Sequence, residues 1–423
     1  MTNSLTLALT ASLWTVHLAL LLSIAHLGRG KPVELKVATV LFLFYSLAPL
    51  FSFEFDFFEY RVRYVPEPLA LLVYIMSDVL FLAASLYLYG ARRVPAPAAG
   101  PRDDLRAGGM ALVVLAMGAQ LINVFFNWEY LLLPKNEYIA EIGQNVTPNL
   151  LLFTIPADSI LVGALLVNPF RSRPLRWAVI VLGLATLLLS VFQGYRHLIL
   201  LLLLVAYLMR YSKGGGIMLI AVTLALTFAG ELSNMLKMWF YQALLDPEFD
   251  HGGYLQWYFS TVEWLPVSTE QAAAAANFHL GLSVMQLGSD FVQFLRLIPF
   301  TSSLVENLPT SVDQIGKLVG VDYGQGTAYN FQLFMLNTFL LGGAFLFLVL
   351  LLLRAARNTV LLIYGLEIFS SLLRNSPSFW LAQIKLMVVL LLILHAASAG
   401  AKLISHLRRS SSRQVDRTAP AGA

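Results

Sequence analysis

A chain of 423 residues that is 58% hydrophobic and only 12% charged, with a mean hydropathy of +0.72, is not a soluble globular protein. Its net charge of +4 comes from short arginine-rich connections, which in a membrane protein report orientation ahead of nucleic acid, so nucleic-acid binding is set aside. With no cysteine, disulfides, thiolate catalysis, iron-sulfur clusters and cysteine-ligated zinc are removed as well.

Apolar runs recur along nearly the whole length, without the sustained alternation of an outer-membrane barrel, so the expected class is an all-α polytopic membrane protein. The first run, Leu5 to Leu27, lacks a basic leader and an obvious cleavage site and is expected to be a retained span. Reading each run against its breakers predicts about eleven spans: 4–27, 34–53, 68–90, 109–127, 149–168, 176–193, 197–210, 216–235, 331–353, 359–373 and 380–402. Arg196 is the only charged side chain between Trp177 and Met209, a run too long for one span of ~20 residues, and Gly194 beside it marks a turn.

Positive charge alternates between connections. Arg29 and Lys31, then Arg92, Arg93, Arg102 and Arg106, then Arg171, Arg173 and Arg176, then Arg210 and Lys213, then Arg354 and Arg357 share one side with the tail arginines Arg408, Arg409, Arg413 and Arg417. Glu54, Asp56, Glu59, Glu129, Glu137 and Glu141 fall on the other, accompanied by Arg61, Arg63 and Lys135. The excess of basic residues on cytoplasmic loops then sets the N-terminus outside and the C-terminus in the cytoplasm. The segment 359–373 is short and carries Glu367; its competing reading is a helix lying in the interface. The expected organisation is spans one to eight over 1–235, one long outer segment with short amphipathic helices over 236–330, spans nine to eleven over 331–403, and a basic cytoplasmic tail over 404–423. The cytoplasmic loops carry no nucleotide-binding spacing.

This topology moves Arg196 to the outer mouth of a helical hairpin. There Tyr195, Arg196 and His197 present a phenol, a guanidinium and an imidazole, and the guanidinium fork suits phosphate because it donates two parallel charge-assisted hydrogen bonds. The bland reading is an arginine snorkelling to lipid headgroups. Arg296, in FLRLIPF on the outer segment, is a second cation suited to a diphosphate, or an interfacial arginine on lipid phosphate. Candidate general bases are His279, in AANFHLGLS, and the upstream carboxylates Glu263 and Glu270. Asp246, Glu248, Asp250 and His251 lack the spacing of a metal motif, so no metal and no cofactor is expected. Gln325, Tyr329 and Asn330 stand before span nine, where they are candidates to bind sugar hydroxyls and offer an aromatic platform, while Gly342 and Gly343 permit close helix packing.

These residues in this order resemble bacterial O-antigen polymerases of the Wzy type and, more distantly, O-antigen ligases. The resemblance rests on three features: the Gly194 to Arg196 turn opening a leucine-rich span; the outer segment with FLRLIPF and then ENLP; and GQGTAYNFQLFMLNTFLLGGAFLF. It implies a GT-C-like, metal-independent glycosyltransferase of the bacterial inner membrane with its active site facing the periplasm. Donor and acceptor would both be undecaprenyl-diphosphate-linked glycans among the membrane lipids, and a chain-length regulator and a flippase would be the protein partners. Arg196, Arg296 and His197 would neutralise the diphosphate leaving group, and His279, with Glu263 behind it, would activate the acceptor hydroxyl. Tyr195, Gln325, Tyr329 and Asn330 would hold sugar. Ligases of this superfamily carry a histidine near the entrance to a late span, where this chain has Ala328, Tyr329 and Asn330, which counts against a ligase. The alternatives are a ligase or another lipid-linked-sugar transferase and, in a different class, a flippase or transporter.

Overall fold

The computed structural model describes residues 2–57, 60–65, 67–90, 103–131, 141, 155–192, 196–211, 215–245, 248–261, 267–283, 292–298, 301–305, 331–338 and 341–418. The chain is an α-helical multi-pass membrane protein. Among the described residues six helical stretches are long and apolar enough to cross a membrane: Thr6–Leu27, Val33–Leu50, Pro68–Tyr89, Asp103–Tyr130, Arg173–Ser190 and Pro377–Leu407. Four shorter apolar helices accompany them at Ala157–Leu166, His197–Arg210, Gly216–Ala229 and Leu341–Ala356.

The chain divides into two compact units, one formed by Met1–Pro97, Leu203–Arg354 and Leu366–Lys385, the other by Ala98–Leu202, Ala355–Gly365 and Leu386–Ala423. In the first unit α1 (Thr2–Leu27), α2 (Val33–Ser46) and α3 (Pro68–Tyr89) pack together with α8 (Gly216–Leu245). All fourteen residues of α2 are buried, Glu34 and Lys36 near its start included, and Gly28 lets the α1–α2 connection close on Leu219. α8 runs about 45 Å at 1.5 Å per residue, so its thirty residues continue past the expected end of span eight into the stretch read as outer segment.

Between α2 and α3 the structure departs from the all-α expectation. Strands β1 (Phe53–Phe57) and β2 (Tyr60–Tyr64) form an antiparallel hairpin in the register Phe53↔Tyr64 to Phe57↔Tyr60. FEFDF and YRVRY do alternate, but over five residues each, too short to register against the long apolar runs on either side. Helix α10 (Thr269–Ser283), from the long stretch expected to lie outside, packs on both strands, and Ala48, Tyr64, Val267, Ala272 and Ala275 make a small core beneath them. Burial pushes the Tyr64 phenol well above its ordinary pKa, so it stays neutral.

The expected single span 331–353 is two helices, α11 (Phe331–Asn337) and α12 (Leu341–Ala356), and the hydroxyl of Thr338 after α11 bonds the Phe334 carbonyl at 2.5 Å. A Cβ on Gly342 would sit 2.8 Å from Met335, and one on Gly343 would sit 2.9 Å from Leu80, so both glycines serve close packing. α13 (Leu362–Arg374) is short and almost wholly buried in its middle, and α14 (Pro377–Thr418) runs unbroken through the basic tail. α9 (His251–Thr261) packs against α8.

The second unit holds α4 (Arg106–Asn127), α5 (Ala157–Leu166) and α6 (Arg173–Phe192) in mutual contact, with the first residues of α7 (Arg196–Arg210). Gly108 and Gly163 meet the carbonyls of Leu394 and Val360 so closely that no side chain fits at either position. A directional polar chain crosses this apolar unit: Asn127 donates to Asn123 at 3.0 Å, Asn123 to Gln120 at 3.4 Å, and Gln120 to Asp158 at 2.8 Å and Thr186 at 3.2 Å. Each amide has a partner, as hydrocarbon surroundings demand.

Candidate functional site

The two ends of the first unit differ in chemistry. At one end three cations cap carbonyls at the C-terminal ends of helices: the Lys31 ammonium donates to Tyr89 O at 2.9 Å, Arg354 to Leu88 O at 2.6 Å, and Lys36 to Tyr211 O at 3.4 Å. Helix C-termini favour positive charge because their last carbonyls lack internal partners. Arg354 also stands over the Tyr89 ring, 5.9 Å from its centroid.

At the opposite end of α2 the first turn of α10 is fixed by a reciprocal cap. The Ser268 N–H donates to Gln271 Oε1 at 2.9 Å, and the Gln271 N–H donates to Ser268 Oγ at 3.1 Å. The Gln271 amide then donates to the Phe44 carbonyl, an orphan of the α2 C-terminus, at 2.5 Å and to Thr227 at 3.4 Å. This double use of one glutamine ties α10 to α2 and α8.

Glu270 is therefore held within a braced turn. Its Oε1 accepts from Arg374 Nη1 at 3.0 Å, and its Oε2 accepts a long hydrogen bond from the Tyr45 phenol at 3.5 Å. Glu270 raises the Arg374 guanidinium above its ordinary pKa, so the pair is a carboxylate and a cation. Their side chains are 26% and 42% exposed, so both stay open at this end.

The residues expected from sequence fall differently. His279 lies on α10, nine residues beyond Glu270, which is two and a half turns or about 14 Å along the axis and so on the opposite face. Its ring meets Tyr64 of the hairpin edge-on at 6.0 Å. Arg296 sits in the turn Gln293–Leu297, half-buried, with Nε donating to Gln293 Oε1 at 2.8 Å. Arg196 opens α7, its side chain lying outside the described residues, and His197 follows it half-buried. Glu263, Tyr195, Gln325, Tyr329 and Asn330 all lie outside the described residues. Sequence reasoning weighed Glu270 without its partner and passed over Arg374, whose setting in SLLRNSP reads as an ordinary connection.

A second polar group lies inside the spans. His17 of α1 and Asp78 of α3 are fully buried, with Nδ1 to Oδ2 at 2.5 Å, and His17 Nε2 lies 2.8 Å from the Ser46 carbonyl. A carbonyl only accepts, so Nε2 carries a proton; the remaining proton sits between Nδ1 and the carboxyl, and the pair is net neutral whichever atom holds it. The signal was present in the sequence as an ionisable residue within each of two apolar runs. Tyr74 meets His17 edge-on at 6.0 Å and Phe278 of α10 at 5.2 Å, which links this pair to the same helix as Glu270.

Among the described residues no three His, Asp or Glu side chains gather as a metal ion requires. No protein-family model, curated protein or solved structure matches the chain.

Proposed function

We propose that this chain is a membrane glycosyltransferase that polymerises undecaprenyl-diphosphate-linked oligosaccharide repeat units at the outer face of the bacterial inner membrane. The observation that carries the reading is the division of the first unit into a basic end, with Lys31, Lys36 and Arg354, and an end where Tyr45, Glu270 and Arg374 meet beneath a helix of the long outer segment. If the basic connections face the cytoplasm as the charge pattern predicts, the second end faces the compartment in which a lipid-linked sugar presents its diphosphate and first residues.

In this reading the chain supplies positioning and electrostatic stabilisation with no metal. Arg196, Arg296 and His197 receive the negative charge that develops on the diphosphate as the glycosidic bond breaks. His279, or Glu263, takes the proton of the acceptor hydroxyl as that oxygen attacks the anomeric carbon. Tyr195, Gln325, Tyr329 and Asn330 hold the sugar. A chain-length regulator and a flippase are the proposed protein partners.

A second reading, proton-coupled movement of a lipid-linked glycan, is favoured by the His17–Asp78 pair, because an ionisable pair buried inside spans is costly and commonly functional. Deletion of the gene, followed by glycan gels, separates the two. A polymerase deletion loses long chains and retains single-repeat product; a flippase or ligase deletion loses all attached glycan. An unchanged ladder rejects both readings.

A further inference from the structure

Gln293 and Arg296 share one turn and offer donors without acceptors. The turn Gln293–Leu297 is wound as a 3-10 helix, in which side chains three residues apart lie over one another, so the two leave the same face. Arg296 Nε donates to Gln293 Oε1 at 2.8 Å. A guanidinium has no acceptor, so this bond fixes the orientation of the Gln293 amide: its oxygen is turned to Arg296 and its NH2 away from that contact. The residue is only 1% exposed, and among the described residues that buried NH2 meets no acceptor. Among the same residues the Nη groups of Arg296 have no partner, and no carboxylate stands within ion-pair distance of the guanidinium.

The turn is closed on itself at its far end. The Ile298 N–H donates to Leu295 O at 2.9 Å, and the Thr301 hydroxyl lies against that same carbonyl and 2.9 Å from Ile298 O. Those carbonyls are satisfied, while a buried amide NH2 and a half-buried cation are not. An unsatisfied buried donor is costly, so a fold that keeps one calls for a group that completes it. Arg374 is matched by Glu270 at 3.0 Å, whereas Arg296 carries its charge uncompensated. With Nε occupied by Gln293, the two Nη groups remain as an end-on fork that fits two oxygens of a phosphate, and the Gln293 NH2 stands beside it for a further oxygen. Donors and one positive charge repel a cation and give a sugar hydroxyl nothing to donate to. The class they select is an oxyanion.

We propose that Gln293 and Arg296 form a single phosphate-binding site, in which Gln293 orients the guanidinium through Oε1 and donates to the phosphate through its amide. Gln293 thereby joins Arg296 in the diphosphate role above, and the identity of the phosphate as a lipid-linked diphosphate rests on that reading. A phospholipid headgroup carries the same chemistry.

The test uses the full-length protein in maltoside micelles, which contain no phosphate, titrated with undecaprenyl diphosphate and, in parallel, with phosphatidylglycerol. Gln293→Glu keeps an oxygen for Arg296 Nε, and so keeps the turn, but replaces the NH2 donor by an acceptor and compensates the guanidinium. It is expected to weaken binding of at least one probe by about tenfold or more, the scale of a lost charge-assisted hydrogen bond, with the thermal midpoint at or above that of the wild type. Arg296→Lys keeps the charge and loses the fork, and is expected to show the same loss. Loss for either probe supports the site, and the probe that loses tells whether a lipid-linked diphosphate or a phospholipid headgroup occupies it. Unchanged affinities, or losses that come only with a fallen midpoint in both variants, make the contact a turn brace and overturn the proposal. A wild-type protein that binds neither probe overturns it as well. An unchanged glycan ladder in the deletion strain rejects the glycan reading separately, and the phosphatidylglycerol titration then decides the site.

Discussion

Glu270, in the first turn of α10, and Arg374, in the last turn of α13, are 104 residues apart in sequence and 3.0 Å apart in space. Each helix end gains from the charge it carries, since an acidic residue suits an N-terminus and a basic one a C-terminus. The contact therefore joins two termini that are favourable separately. Side chains 26% and 42% exposed set the pair between an exposed ion pair and a buried one. Glu270→Ala and Arg374→Ala are each expected to lower the thermal midpoint in detergent, and a double-mutant cycle should return a coupling of about 1 kcal/mol. Strictly additive effects would show that the two side chains do not sense each other.

His17 and Asp78 are a sterner case because both are fully buried. His17→Ala removes the donor to Ser46 O and leaves a carboxyl alone among α1, α2 and α3, at an expected cost of about 3–5 kcal/mol. Asp78→Asn presents an amide N–H to Nδ1 and leaves Nε2–H on Ser46 O, so the expected cost is under about 1.5 kcal/mol. Equal destabilisation by the two variants, measured as retention of the folded peak on heating, would contradict this proton arrangement.

What was legible in the sequence follows from what decides each element. Helices α1, α3, α4 and α6 fall on their expected runs because length and apolarity alone specify a membrane helix. The hairpin Phe53–Tyr64 was not legible, since two five-residue alternations between apolar spans carry too few periods. The end of α11 before Thr338 was hidden because Asn337, Thr338, Gly342 and Gly343 are all tolerated within a membrane helix, so they do not by themselves mark a break. At the site, Glu270 was visible as a carboxylate on the segment expected to lie outside, but its pairing with Arg374 depends on where α13 ends against α10, which no local pattern encodes. His279 stood out as a histidine among apolar neighbours, and its partner proved to be Tyr64 on the hairpin that the sequence did not disclose.

Because the chain has no cysteine, orientation is testable without removing any native residue. Single cysteines at Glu54 and His251, both exposed, are expected to react with a membrane-impermeant maleimide on spheroplasts. Cysteines at Arg29 and Arg210, also exposed, should react only after the membrane is opened. The reverse pattern would turn the molecule over and bring Arg354 and Lys31 to the outer face in place of Glu270 and Arg374.

Arg196 is the first residue of α7, and at a helix start the first backbone N–H groups lack partners within the helix. A cation there adds to the positive end of the helix dipole and is unfavourable alone, by a few tenths of a kcal/mol to about 1 kcal/mol. An anion bound between the guanidinium and those N–H groups reverses the sign of that interaction, which is the arrangement a diphosphate would supply. Replacement by lysine keeps the charge and loses the planar fork that donates two parallel bonds. Arg196→Lys is accordingly expected to insert at wild-type level, judged by immunoblot of membranes, while losing on the order of 100-fold in polymer formation on glycan gels. Arg196→Ala should be no better than lysine. A full ladder from the alanine variant would return Arg196 to a lipid-facing role, where its charge merely reaches the headgroups, and would leave the diphosphate to Arg296 and His197.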